Sequence, residues 1–277
     1  MEKHDIKVIG LDMDGTLLRD DKTISEYTES VLRKAMDQGI HILPATGRAK
    51  IGIPECVRKM DGVRYGICAN GASVLDLETG EELYSCRIPY EDAIKMIDIM
   101  ENYDTIYDAY IDGRGYADER FYHHLEDYKI EPEMMKMYVQ TRTPIPSLRE
   151  YVMEGRCKIE KFNMFFADPQ KRLDVMEALH KLPFVKVTSS LYNNIEINAV
   201  DCNKGTALLG FAKKFGYGRE QVMSCGDGSN DIEMISMSGI GVAMENGLDT
   251  MKEAADYITV SNEQDGVAKA IEHFCLK

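Results

Sequence analysis

Asp12 and Asp14 stand one residue apart in LDMDGTLL (11–18), where the apolar run IKVIGL (6–11) ends. On a strand that stays extended, side chains two apart share a face, so both carboxylates point the same way. Such a pair repels itself unless a cation lies between its members. Gly15 permits an abrupt turn, and Thr16 offers a hydroxyl and an amide to an anion. A second acidic cluster, Gly226-Asp227-Gly228-Ser229-Asn230-Asp231, follows the apolar run VMSCG (222–226). In a parallel sheet the carboxyl ends of all strands share one edge, so the two clusters can converge on one hard divalent cation. Mg²⁺ takes oxygen ligands and keeps several waters, which leaves room for a substrate phosphate.

Other patterns carry less. D-x-D-G also begins a calcium loop, but the glutamate required at the twelfth loop position is Thr23 here. Gly226-x-Gly228 lacks the third glycine of a dinucleotide fingerprint. Thr46 and Gly47 follow a third apolar strand, so a hydroxyl and an amide there can hold a phosphate oxygen; alone, the motif reads as a turn. Lys204 starts a helical run, where the macrodipole disfavours a cation, and its position hints at an anionic partner. His123-His124 has no third ligand at a metal-binding spacing, and the 17 methionines are scattered as core filler.

The elements that must position these residues alternate. IKVIGL (6–11), IHILPA (40–45), VMSCG (222–226), GIGVAM (239–244) and YITV (257–260) are short apolar strand candidates, as buried parallel strands require, and YGICANGA (65–72) brings a strand and a turn. Helical runs over 24–38, 203–215, 229–238 and the C-terminus separate them. This alternation predicts an α/β protein with a doubly wound parallel sheet. Residues 83–195 read differently, with longer polar helices and the strand candidates KIEKFNMFFA (158–167) and FVKVTSS (184–190). Asp168-Pro169 marks a helix start, and TRTPIPSL (141–148) reads as a loop. The expectation is an α+β domain, 83–195, inserted into a core made of 1–82 and 196–277.

The 277 residues carry 33 Lys+Arg against 47 Asp+Glu, a net charge of -14. An acidic surface of this kind opposes nucleic acid and anionic membranes, so an anionic substrate needs a local cation. Seven scattered cysteines include no C-x-x-C pair. With no apolar leader and no long apolar stretch, the expectation is a cytoplasmic protein with reduced thiols.

Taken together, LDMDGTLL, ATGR (45–48), NKG (203–205) and GDGSND (226–231) resemble, in order, the four motifs of the haloacid dehalogenase superfamily of phosphotransferases. Residues 19–44 are too few for a domain between the first two motifs, whereas 49–202 leave ample room before the third. That layout, with ANGA (69–72), is similar to the Cof-type phosphatases, whose α/β cap is inserted late. The third motif here reads EINAVDCNKG, without the glycine that relatives tend to carry before the lysine.

The resemblance implies a Rossmann-like core with a cap domain that selects the substrate, and hydrolysis of small phosphomonoesters through an aspartyl-phosphate. It makes Asp12 the nucleophile and Asp14 the general acid and base. It implies Mg²⁺ held by Asp12, the Asp14 carbonyl and Asp227, with Asp231 bracing the site. Thr46, Gly47, Lys204 and Asn230 would bind the phosphoryl group, and Arg48 and Asn194 are candidate substrate contacts. A small phosphorylated metabolite is the expected partner, with no nucleic acid or membrane, for a monomer or small homo-oligomer. The alternatives are a sugar phosphomutase on the same scaffold and a phospho-accepting or binding regulatory protein.

Overall fold

The computed structural model describes residues 4–276. Its strands in chain order are β1 (Val8–Asp12), β2 (His41–Ala45), β3 (Tyr65–Cys68), β4 (Ser73–Asp76), β5 (Glu82–Ser85), β6 (Ile106–Ile111) and β7 (Arg114–Asp118). There follow β8 (Arg142–Ile145), β9 (Lys161–Phe165), β10 (Val185–Thr188), β11 (Asn194–Ala199), β12 (Val222–Gly226), β13 (Ile240–Ala243) and β14 (Tyr257–Ile258). They form two sheets in two compact units. One unit comprises residues 4–47, 53–85 and 203–276, and the other 48–52 and 86–202.

The first unit holds an eight-stranded sheet of order β14-β13-β12-β1-β2-β3-β4-β5. Its strands from β14 to β3 are parallel. β1 shows why the run is apolar throughout. Val8 packs with Leu43, Ala207, Leu208 and Phe211. Its neighbour Ile9 points the other way, into a core with Val31, Leu32, Val267 and Ile271. Helices Glu26–Asp37 and Gly266–Phe274 cover one face and helix Lys204–Lys214 the other, so the sheet is doubly wound. Burying each such side chain stabilises by about 1.5–3 kcal/mol.

The sheet is not parallel to its end, as the alternation had predicted. β4 and β5 run antiparallel. Only residues 69–72 join β3 to β4, and a parallel return needs a crossover of about a dozen residues.

The second unit carries a six-stranded sheet of order β10-β11-β9-β6-β7-β8, antiparallel except for β7 with β8. Here 141–148, read from sequence as a loop, contains a strand. β8 runs parallel to β7 on the outer edge, where Pro144 is tolerated because no neighbour needs its missing N–H. Asp168 caps helix Pro169–Leu179 by accepting from the Gln170 amide. The sequence reading divides the chain after 82 and 195, while the compact units divide after Ser85 and Cys202: β5 completes the first sheet and β11 lies inside the second. Among the described residues no helix is long and apolar enough to cross a membrane.

Candidate active site

The chain leaves β1 towards β2 and β3 on one side, and returns at β12 to run towards β13 and β14 on the other. Strand order therefore reverses between β1 and β12, and ligands of open α/β sheets bind at the carboxyl ends of such a pair. β1 and β12 pair up to Leu11 and Cys225, so Asp12 and Asp227 emerge side by side just beyond.

Asp12 ends β1 and is buried. The Lys204 ammonium, itself fully buried, donates to Asp12 Oδ1 at 2.5 Å and to Asp231 Oδ1 at 2.6 Å. Lys204 opens helix Lys204–Lys214, whose cap is Asn203, with its side chain accepting from the Thr206 amide. Two carboxylates offset the unfavourable helix dipole at that position. The depth of the lysine depends on Gly205: a Cβ there would lie 2.6 Å from the Glu233 carbonyl oxygen, so only glycine lets this helix approach helix Ile232–Met237 this closely.

Asp231 spends its other oxygen on the backbone, accepting from the Asp227 amide at 3.3 Å and the Gly228 amide at 3.0 Å. Asp227 accepts from the Thr16 hydroxyl at 2.7 Å. Gly15, at φ 84°, makes room for it, since a Cβ there would lie 2.5 Å from Asp227 Oδ2. Carboxylate oxygens of Asp12, Asp227 and Asp231 all lie within 4.8 Å of one another.

Three carboxylates around a single ammonium leave an excess of two negative charges. The electrostatics reflect that shortage of positive charge. Burial, then the Asp231 charge, hold Asp12 well above the usual carboxylate range despite Lys204. Burial pushes Asp227 up to about 6 against the Thr16 hydrogen bond. Burial also disfavours the Lys204 charge, but Asp12 and Asp231 outweigh it and hold its pKa above the ordinary lysine value, so it remains an ammonium. The donor set, all oxygen and doubly negative, suits a hard divalent cation.

Asp14 departs from the picture of two parallel carboxylates. The strand stops at Asp12 and the chain turns, so the half-exposed Asp14 carboxylate instead accepts from Lys22 Nζ at 2.9 Å. Thr46 is buried, and its backbone is fixed by bonds to Ile67 and Asn70. Gly47, half-buried, is the last residue before the chain first enters the second unit. Asn230 donates to the Asn70 side chain at 3.2 Å.

These residues gather in the first unit; Arg48 and Asn194 do not. Both belong to the second. Arg48 donates to the Gly52 carbonyl at 3.1 Å. The buried Asn194 side chain braces its own loop, accepting from the Ser190 and Leu191 amides at 3.1 and 2.8 Å.

Two residues escaped the sequence reading. Lys22 belongs to an ordinary-looking charged turn, RDDK, and nothing local marks it. Asn70 was legible in ANGA: it is buried and left-handed (φ 58°), follows Ala69 at φ 49°, and ties Thr46 to Asn230. Consecutive non-glycine residues at positive φ cost energy and gather at functional sites.

The sequence model of the haloacid dehalogenase-like hydrolases matches residues 9–271. A 5-amino-6-(5-phospho-D-ribitylamino)uracil phosphatase of Bacillus subtilis is 34% identical over 276 residues, covering 99% of this chain and 98% of that protein. A haloacid dehalogenase-like hydrolase from B. subtilis superposes with a TM-score of 0.84 at 26% identity, covering 97% of this chain and 99% of the other. A subclass IIB sugar phosphatase of the same superfamily superposes with a TM-score of 0.81 at 25% identity, covering 98% and 100%. With its four motifs gathered at one strand-order reversal and its full length shared with these proteins, the chain belongs to the haloacid dehalogenase-like hydrolases, among the Cof-type phosphatases of subclass IIB, and is a phosphomonoester hydrolase.

Proposed function

We propose that the protein is a Mg²⁺-dependent phosphatase of small metabolites that carry phosphate on a polyhydroxylated carbon chain, acting through an aspartyl-phosphate on Asp12. The observation that carries the reading is Lys204, buried between Asp12 and Asp231 with Asp227 beside them. The substrate class draws on two relatives, a phosphatase of a ribityl phosphate and a sugar phosphatase. We assign substrate selection to the inserted unit and a cytoplasmic location to the protein.

In this mechanism an Asp12 oxygen attacks phosphorus, and the bond from phosphorus to the alcohol oxygen breaks. Asp14 gives its proton to the leaving alcohol. Asp14, now a carboxylate, takes a proton from water as the water oxygen attacks the same phosphorus. The acyl-phosphate bond breaks, inorganic phosphate leaves, and both aspartates are restored. Thr46, the Gly47 amide, Lys204 and Asn230 hold the oxygens that are not transferred, and Lys204 acts as a fixed cation rather than a base. A divalent cation held by Asp12, the Asp14 carbonyl and Asp227 would supply the positive charge that the acid cluster and the phosphate both need. Asp231, with both oxygens engaged, keeps Lys204 and the Asp227–Gly228 turn in place.

Phosphate release from p-nitrophenyl phosphate, sugar phosphates and 5-amino-6-(5-phospho-D-ribitylamino)uracil tests this, with Mg²⁺ or chelator, for wild type and Asp12→Asn. Release that needs both Mg²⁺ and Asp12 is the expected result. Mg²⁺-independent release, or release that persists in Asp12→Asn, overturns the mechanism. Phosphate returned to the sugar at a second position instead of water would make the protein a mutase.

A further inference from the structure

Gly15 is the least constrained point of the turn that follows β1. It stands at φ 84° without a Cβ, so local sterics do little to hold the peptide plane between it and Asp14. That plane carries the Asp14 carbonyl. Around it the turn is closed by the Leu17 amide, which donates to the Asp12 carbonyl at 3.1 Å, and the Leu18 amide, which donates to the Met13 carbonyl at 2.8 Å. The Gly15 carbonyl itself is held by a side chain 231 positions away, Asn246, whose Nδ2 donates to it at 2.8 Å.

Asn246 lies in the turn after β13, and that turn is built against Asp227. The Leu248 amide donates to the Asp227 carbonyl at 3.1 Å, and the Met244 amide to the Gly226 carbonyl at 3.1 Å. Gly247 lets the segments touch: a Cβ there would lie 3.0 Å from Asp227 Cα. The Asn246 amide has one workable orientation. Its oxygen accepts from the Asn262 backbone N–H at 3.1 Å, which leaves its NH₂ group for the Gly15 carbonyl. Asn262 is buried and grips the same loop further on, donating from Nδ2 to the Leu18 carbonyl at 3.1 Å and to Asp20 Oδ1 at 3.2 Å. Thr16 also joins the two sides, but through the Asp227 carboxylate, and so engages an oxygen that a cation could take. Asn246 spans the same gap without using a carboxylate.

We infer that Asn246 is a positioning residue for phosphoryl transfer: it sets the span between the Asp14–Gly15 peptide and Asp227, and so makes the site selective for cation size. The inference rests on the phosphatase reading above, in which Asp12, the Asp14 carbonyl and Asp227 would hold a divalent cation. Mg²⁺ requires a near-ideal octahedron of oxygens, whereas Ca²⁺ accepts a larger and looser shell. Two sides tied to each other favour the smaller ion. Two sides that can drift apart lose that preference. Residues that orient ligands without touching the metal commonly govern its affinity in this way.

The test uses the full chain with Asn246→Ala and Asn246→Leu, which both remove the donor, the second while keeping side-chain volume. Asn246 is exposed, so both variants should melt in chelator within a few degrees of wild type. Calorimetric titration with MgCl₂ and, separately, CaCl₂ is the first readout. Mg²⁺ affinity should fall about tenfold and Ca²⁺ affinity by about twofold or less, so that the preference for Mg²⁺ narrows in both variants. Phosphate release from p-nitrophenyl phosphate at saturating Mg²⁺ should show kcat reduced several-fold and KM changed by less than about twofold, because Thr46, Gly47 and Lys204 are untouched. A Mg²⁺-to-Ca²⁺ preference equal to that of wild type overturns the inference, whatever the activity. So does a loss in Asn246→Ala that Asn246→Leu does not share, or a collapse of the melting temperature in chelator, which would assign Asn246 to stability instead. Wild type that binds no Mg²⁺ and releases phosphate in chelator would overturn the phosphatase reading, and this inference with it.

Discussion

Lys204 and Asp12 meet at 2.5 Å with the ammonium wholly out of solvent, although 192 residues separate them. A buried ion pair is a poor way to stabilise a fold, because desolvating both charges costs about as much as their attraction returns. Here the lysine is shared with Asp231, and the cluster still carries excess negative charge. In the mechanism proposed above, a divalent cation would balance that excess.

Asp12→Asn keeps the shape and an acceptor for Lys204 but removes the attacking carboxylate. Turnover should fall on the order of 10³-fold or more. The melting temperature should hold or rise, because one carboxylate of a mutually repelling, buried cluster is gone. Phosphate release and thermal denaturation on the same preparation check both; a variant with more than about a tenth of wild-type activity would exclude Asp12 as nucleophile.

Lys204→Met leaves Asp12 and Asp231 facing each other without a cation. In chelator the variant should lose about 3–5 kcal/mol of stability in urea denaturation. Saturating Mg²⁺ should restore part of that loss, since the ion binds only the folded cluster. Near-wild-type stability in chelator would mean that the lysine does not neutralise the site.

Asp227 titrates near pH 6 in the folded chain against 3.8 as its ordinary value. A raised carboxylate stabilises the fold fully below the unfolded pKa, and that contribution is lost as pH rises through the folded one. In chelator, Asp227→Asn should therefore gain stability relative to wild type between about pH 4 and about pH 7. The gain should be on the order of 1–2 kcal/mol, reduced from the full shift because the group is partly exposed. Mg²⁺ affinity of the wild type, by calorimetry, should rise over the same interval as the ligand deprotonates. A stability difference that is flat with pH would contradict the assignment.

Gly205→Ala places a methyl group 2.6 Å from the Glu233 carbonyl oxygen and 2.8 Å from its carbon, neither of which can swing aside. The helices must separate, at about 1–3 kcal/mol, and Lys204 moves with its helix. The expected signature is a kcat loss larger than the loss of stability alone would give, read under conditions where the variant is fully folded. Full activity with an unchanged melting temperature would show that the close approach is not needed.

The sequence by itself determined the family and the strand ends at which its motif residues stand. Apolar runs that end in Asp12, Thr46 and Asp227 read as buried parallel strands, and strands of that kind deliver their carboxyl ends to one edge. The alternation of strands and helices determined the doubly wound core for the same reason. Tertiary structure decided what those residues do to one another. That Asp14 faces Lys22 follows from the turn after β1, which local pattern does not encode. That 142–145 is a strand depends on β7 being there to pair with it, on an edge that tolerates Pro144. That Asn70 joins Thr46 to Asn230 depends on two left-handed residues held by the structure around them. Above all, the depth of Lys204 is set where Gly205 meets the Glu233 backbone, two stretches far apart in the chain. Periodicity and propensity act within a turn or two of chain, whereas burial, charge balance and pKa arise from contacts that exist only once the chain has closed on itself.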